Sequence, residues 1–257
     1  KIILATGGAS YPATGSTGDG YKFAKALGHT IVEPQGSLVP LETAGPDAPE
    51  MQGLALKNSA LKLLNPKGKA VYKDFGEMLF THFGVSGPLV LTASCHLPDH
   101  LADASVTLNL KPGLTREQLD ARLQRDFDDN SRKMLRSVLP GLLPARLAEL
   151  FPALCGVDGD KICAQITREE RDRIADKVQN LPLTLKKLAP IEEAIVTRGG
   201  VSVKEIDPST MESKLVPGLY FAGEVIDVDA HTGGYNLQIA WATGRAAGIA
   251  AAQKETE

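Results

Sequence analysis

The spacing of apolar positions changes period several times along this chain. Residues 2–5 are a short, continuously apolar run ending at Thr6-Gly7-Gly8, which predicts a strand buried on both faces. A loop rich in Gly, Ser and Thr follows. Phe23, Ala24 and Leu27 then share one side of a predicted helix over 21–27, with Gly28 at its C-terminal end. Strand, glycine loop and helix in that order belong to α/β proteins. From about residue 37 the texture becomes short and alternating, over 37–41, 54–64, 69–72 and 105–110, with Pro and Gly between the segments. This predicts antiparallel strands forming a small barrel or a curled sheet.

Between 115 and 180 the period is helical. Thr115 with Gln118, and Thr167 with Glu170, have the spacing of capping boxes, and Leu119, Leu123 and Phe127 continue one face. Alternation returns after Leu181, and the chain ends with a strand over 219–222 and a small-residue helix over about 235–252. The expected fold is α/β plus β. A partial Rossmann domain of the glutathione-reductase type (1–36 and 194–257) is interrupted by an insert over 37–193. That insert is read as a β-barrel (about 37–113 and 181–193) carrying a helical subdomain (about 114–180).

Composition narrows the function classes. Of 257 residues 43% are hydrophobic and 23% charged, ordinary for a soluble globular protein. The formal net charge of −3 argues against a generally basic surface for nucleic acid. Cys95, Cys155 and Cys163 form no C-x-x-C pair, so they read as reduced thiols of a cytoplasmic protein rather than a zinc or redox centre. No apolar run approaches the ~20 residues of a membrane span. The chain opens on Lys1 in what reads as the interior of a strand, and the expectation is a fragment of a longer protein.

The most informative stretch is Gly218-Leu219-Tyr220-Phe221-Ala222-Gly223-Glu224-Val225-Ile226-Asp227, with Thr232-Gly233-Gly234-Tyr235-Asn236 shortly after. It reads as a buried strand ending in an acid, then a glycine turn opening a helix. Ligands of open α/β sheets sit just beyond the carboxyl end of such a strand. Glu224 is placed to accept hydrogen bonds from the hydroxyls of a ribityl chain. Gly223, Gly233 and Gly234 permit close approach, and the first turn at Tyr235, Asn236 and Leu237 offers unpaired N–H groups. The plainer reading, a strand–turn–helix corner, fits the same spacing.

Ala5-Thr6-Gly7-Gly8, Gly15-Ser16-Thr17-Gly18-Asp19-Gly20-Tyr21, Leu79-Phe80-Thr81-His82-Phe83-Gly84-Val85-Ser86-Gly87-Pro88, Val196-Thr197-Arg198-Gly199-Gly200-Val201 and Thr210-Met211-Glu212-Ser213-Lys214 accompany that stretch in order. Together they resemble the BaiN-like, or aminoacetone-oxidase-like, NAD(P)/FAD-dependent oxidoreductases over essentially the whole chain. The resemblance implies FAD held by Thr6, Gly7, Gly8, Gly223, Glu224, Gly233, Gly234, Tyr235, Asn236 and Leu237, with NAD(P)H as co-substrate. Described activities in the family are reduction of conjugated enones, oxidation of amino-ketones and reduction of a uridine in ribosomal RNA. A small-molecule substrate is therefore expected, with RNA the alternative partner.

The family's Gly-x-Gly-x-x-Gly turn has no counterpart here. Gly18-Asp19-Gly20 has Phe23 where the third glycine belongs and follows a loop. Weak or absent FAD binding by this chain, as a non-catalytic domain, is thus a second expectation. His82, with Thr81 and Ser86, is the candidate catalytic group, to be weighed against a structural histidine. His231 is a weaker candidate. Gly199-Gly200 marks a close approach to cofactor or a tight turn, and His29, His96 and His100 show no metal-ligand spacing. Arg122, Arg125, Arg132, Lys133 and Arg136 form a candidate RNA contact, but Asp120, Asp126, Asp128 and Asp129 lie among them and favour a salt-bridged helix face.

Overall fold

The computed structural model describes residues 1–65, 67–97 and 105–253. The chain starts with β1 (Ile2–Leu4), α1 (Asp19–Ala26) and β2 (Ile31–Ser37). Next come β3 (Leu41–Thr43), α2 (Asp47–Glu50), β4 (Ala55–Leu64), β5 (Ala70–Phe80), β6 (Gly84–Ser86), α3 (Pro88–Ser94) and β7 (Ser105–Asn109). Helices α4 (Arg116–Asp129), α5 (Leu135–Val138), α6 (Ala145–Leu154) and α7 (Arg168–Gln179) precede β8 (Leu181–Leu183) and β9 (Leu185–Leu188). The chain closes with β10 (Val196–Val201), β11 (Leu219–Phe221) and α8 (Tyr235–Ala252). Two compact units result, one of Lys1–Pro40 with Leu188–Glu257 and the other of Leu41–Lys187.

In the first unit β1 pairs in parallel with β11, Ile3 opposite Tyr220, and β2 pairs antiparallel with β10. Leu219, Tyr220 and Phe221 are all buried, and with Tyr21, Ala24, Val201, Val225, Ile226 and Ala247 they form the core. A fully buried side chain of the size of Phe221 contributes about 2–3 kcal/mol. Two sequence expectations fail here. β1 is not buried on both faces: Ile2 is 66% and Ile3 41% exposed, because among the described residues β1 has a strand on one side only. On α1 the buried side chains are Tyr21 and Ala24, one turn apart beside buried Gly20, while Phe23 and the C-cap residue Leu27 are exposed.

In the second unit seven strands form one sheet in the order β8-β7-β4-β5-β6-β3-β9. This is not the closed barrel assigned to the insert, and of the two forms the alternation allows only the open sheet is seen. The two end strands β8 and β9 do not pair with each other, although only Thr184 separates them in the chain. Nor is 37–41 one segment. Ser37 ends β2, Leu41 starts β3, and Leu38 between them has a left-handed φ of 56°, which a strand cannot hold. Leu61, Leu63, Leu108 and Phe80 are fully buried on the inner face of this sheet.

Both predicted capping boxes are present. Thr115 Oγ1 accepts from Gln118 N–H and Thr167 Oγ1 from Glu170 N–H, and each partner side chain accepts from the cap residue's own N–H. Leu119, Leu123 and Phe127 of α4 are buried. Arg171 of α7 donates to Asp120 of α4 at 2.7 Å and ties the two helices together, and Lys161, in the segment before α7, donates to Glu170 at 2.8 Å. Arg171 beside Asp120, and Lys161 beside Glu170, hold both carboxyls below their ordinary values of 3.8 and 4.5. Depressed carboxylates stabilise fully above the unfolded pKa and lose that contribution as pH falls through the folded one. The second unit should therefore keep its melting temperature down to about pH 5 and lose it progressively below about pH 4. Asp120→Asn with Glu170→Gln should flatten that acid limb in a melting series against pH. An unchanged limb would contradict the assignment.

Among the described residues no helix is long and apolar enough to cross a membrane. Cys155 and Cys163 are buried thiols, and burial pushes Cys155 up to about 12. Free thiols of this kind pack as small apolar groups.

Candidate functional site

The first unit contains a cavity of about 430 Å³, a volume typical of small-molecule sites. Glu224, at the end of β11, forms part of its wall, with Gly233, Gly234, Asn236 and Leu237 at the start of α8. The remaining wall is mostly apolar, from Leu38, Ile195, Val196, Val228, Ile239 and Ala240. His231 and Thr232 complete the rim.

Glu224 is held by a network spanning the whole unit. Its Oε1 accepts the Thr197 N–H at 2.7 Å and the Ser10 hydroxyl at 3.3 Å. Thr197 Oγ1 in turn accepts the N–H groups of Ala9 and Ser10 at 2.9 and 3.1 Å. Gly8 lies against this knot. A Cβ there would stand 2.3 Å from both Glu224 Oε1 and Thr197 Oγ1. The 6–10 loop therefore reaches Glu224 only because residue 8 has no side chain. Burial pushes the nearby Tyr21 phenol up to about 12, with the Glu224 charge adding to it. The Tyr21 hydroxyl lies beside Thr197 with no well-formed hydrogen bond.

The start of α8 offers three donors. Gly234 is the N-cap at a φ of 88°, and the first intrahelical bond runs from Gln238 N–H to Gly234 O. Among the described residues nothing accepts the N–H groups of Tyr235, Asn236 and Leu237. The Asn236 side chain is already engaged, its amide exchanging two hydrogen bonds with the backbone of Ala230 at 2.9 and 2.8 Å. It braces the 230–236 loop, so only its backbone is left for a ligand. Tyr235 is exposed and does not line the cavity.

The residues singled out in sequence distribute as follows. Gly8 is brought to Glu224, whereas Thr6 and Gly7 do not line the cavity; the Thr6 hydroxyl packs against Gly20. Gly223 donates its N–H to Thr243 Oγ1 at 2.9 Å and anchors the strand end to α8. Gly199 and Gly200 sit at a bulge of β10, and a Cβ on either would stand 2.5 Å from a carbonyl oxygen, of Glu33 and Val225 respectively. The close approach at that pair is to the chain's own backbone, within a strand bulge rather than a tight turn. Leu38, Ile195, Val196 and Val228 escaped sequence reading, since isolated apolar residues carry no sign of lining a cavity.

Thr81, His82 and Ser86 belong to the β5–β6 hairpin of the second unit. Thr81 Oγ1 accepts the Gly84 N–H at 3.1 Å and closes the turn, and exposed His82 packs edge-on to Phe83. His96 stacks on Tyr72, with ring centroids 4.2 Å apart. His100 lies outside the described residues. His29 is buried, its Nε2 2.9 Å from Ser213 Oγ and its Nδ1 3.2 Å from Glu205 Oε2. That Ser–His–Glu row has the order of a hydrolytic triad. However, Ser213 Oγ already accepts from Leu215 and Val216 N–H groups and is buried, so the row is a structural latch.

Two features of the cavity suit a flavin. Its mostly apolar wall includes Glu224, whose Oε2 makes no hydrogen bond among the described residues, and the N–H groups of Asn236 and Leu237 on that wall have no acceptor among them. The first suits hydroxyls beside a flat ring system. The second suits an oxygen that gains negative charge.

The family described as HI0933-like protein Rossmann domain matches residues 1–250. Relatives include a Haemophilus influenzae protein named ribosomal RNA dihydrouridine synthase, 34% identical over 97% of this chain and 59% of its own length. An Escherichia coli protein of the same name is 32% identical over 95% of this chain and 58% of its own. A Clostridium scindens protein named 3-dehydro-bile acid delta(4,6)-reductase is 30% identical over 99% of this chain and 62% of its own. The chain thus spans about three-fifths of the length of these relatives. Matched across nearly all its residues, it belongs to the HI0933-like Rossmann-domain family.

Proposed function

We propose that this chain is the greater part of an FAD-dependent reductase, with NAD(P)H as reductant, acting on a carbon–carbon double bond conjugated to a carbonyl. The observation that carries the reading is the cavity bounded by Glu224 and the open start of α8. When bound, FAD supplies the hydride chemistry. Glu224 Oε2 would hold ribityl hydroxyls, and the Tyr235, Asn236 and Leu237 N–H groups would face the flavin edge where charge grows on reduction. Leu38, Val196, Val228 and Ile239 would exclude water from the ring. His231, on the cavity rim, is the side chain of this unit suited to hand a proton to substrate. On the second unit's hairpin, His82 would donate a hydrogen bond or proton, and Thr81 and Ser86 would orient a substrate carbonyl.

Uridine within RNA is the substrate we favour over a small enone. Its C5–C6 double bond is conjugated to a carbonyl, and two relatives carry names with that activity. The bile-acid reductase name supports the same reaction class on a small molecule.

The test begins with the visible spectrum of the purified chain, before and after incubation with FAD. A yellow, stoichiometric complex is expected, bleached by NADH or NADPH without oxygen and recoloured by uridine-containing RNA or an enone. A protein that stays colourless after incubation would instead be the non-catalytic, FAD-deficient domain.

A further inference from the structure

On the second unit's sheet, β4, β5 and β7 turn one face inward, where Leu61, Leu63, Val106 and Leu108 are buried. The opposite face has an unusual make-up. Lys62 and Lys73 are directly opposite each other on β4 and β5, and Thr107 and Pro182 extend that row across β7 and β8. The next row is Phe75, Ala60 and Asn109, about 7 Å along the strands. Phe75 is 57% exposed, and its cross-strand neighbour Ala60 is too small to cover the ring. Val71 extends the exposed apolar surface.

Two like charges directly opposite on one sheet face destabilise the pair. Among the described residues neither lysine has an ion-pair partner. Asp74 does not neutralise Lys73: it points to the other face, accepting the Tyr72 hydroxyl and the Phe75 N–H at 2.8 Å each. Glu77 shares the outer face but is four residues from Lys73, about 13 Å along the strand. The hairpin over residues 55–80 holds five lysines against two acids in a chain of net charge −3. By contrast, the arginines of the helical region are partly engaged, Arg122 with Asp126 and Arg136 with Asp160.

We infer that this outer face of β4, β5 and β7 docks single-stranded RNA, Lys62 and Lys73 contacting phosphates and Phe75 stacking on a base. A polyanion turns the lysine repulsion into attraction, and an uncovered ring beside cations is what unpaired bases stack on. The inference rests on the reading of RNA as substrate and adds where that RNA is held.

The test is fluorescence anisotropy of the whole chain with a labelled, uridine-rich single-stranded RNA, titrated at several salt concentrations. Lys62→Gln with Lys73→Gln should weaken binding at least about tenfold and flatten the log–log salt dependence by about 1.4. Phe75→Ala should weaken it about tenfold with the salt slope unchanged. Arg125→Gln with Arg132→Gln should leave binding as it was. Melting temperatures guard against misfolding: they should not fall in any variant, and should rise slightly where both lysines are replaced.

The inference is overturned if the helical variants lose RNA and the sheet variants keep it. It is equally overturned if the sheet variants change only the oligomeric state in gel filtration, since the face would then join copies of the chain. Turnover on RNA in the flavin-loaded protein separates the two readings. Turnover with an unaltered KM in the sheet variants removes the docking face and keeps the substrate. RNA binding that needs Lys62 and Lys73 without turnover keeps the face and removes the substrate.

Discussion

Glu224→Ala should cost the first unit about 1–3 kcal/mol and at least about tenfold in flavin affinity. The stability loss arises because the Thr197 N–H and the Ser10 hydroxyl both lose their acceptor in a part-buried setting. For a unit of this size that corresponds to a melting-temperature drop of roughly 4–24 °C, at about 4–8 °C per kcal/mol. Glu224→Gln separates the two effects. Its amide oxygen can still accept from Thr197 and Ser10, so melting should stay near that of the parent. The negative charge and one free acceptor oxygen are gone, so flavin affinity should still fall. The measurements are thermal melting by circular dichroism and flavin titration followed by fluorescence. Equal flavin affinity in all three proteins would remove Glu224 from the cofactor site.

Gly200→Ala is expected to be strongly damaging to the first unit. Residue 200 has a φ of 124°, outside the range of L side chains. The added Cβ would also stand 2.5 Å from Val225 O and 3.1 Å from the Tyr21 ring. Backbone strain and overpacking together cost about 3 kcal/mol or more. A shift of the urea midpoint, or loss of soluble protein, reads this out. Gly244→Ala is the matched control. It lies inside α8 with open space where its Cβ would go, so the same change should stabilise by about 0.5–1 kcal/mol. If both substitutions proved neutral, the packing of β10 against 223–226 would be wrong.

The features legible in the sequence are local ones. The capping boxes at Thr115 and Thr167 depend on residues three apart, and so does the buried stripe of α4. The glycine start of α8 and the continuous apolar run of β11 are equally short-range. Burial inferred from a short run holds in one case and fails in another. β11 is buried, but β1, with the same apolar texture, has exposed isoleucines because among the described residues one of its edges carries no strand. An apolar run cannot report how many neighbours a strand has.

The helices α1, α4, α7 and α8 and the strands β4, β7 and β11 follow from the order of residues alone, because capping and period act over a few positions. The surroundings of Glu224 do not. Its partner Thr197 is 27 residues away, Ser10 is 214 away, and Gly8 fits only because they meet. Folding likewise set Lys62 opposite Lys73, through a register fixed by the pairing of β4 with β5. Contacts of that kind come from strand order and packing between distant segments, and neither leaves a periodic mark in the chain.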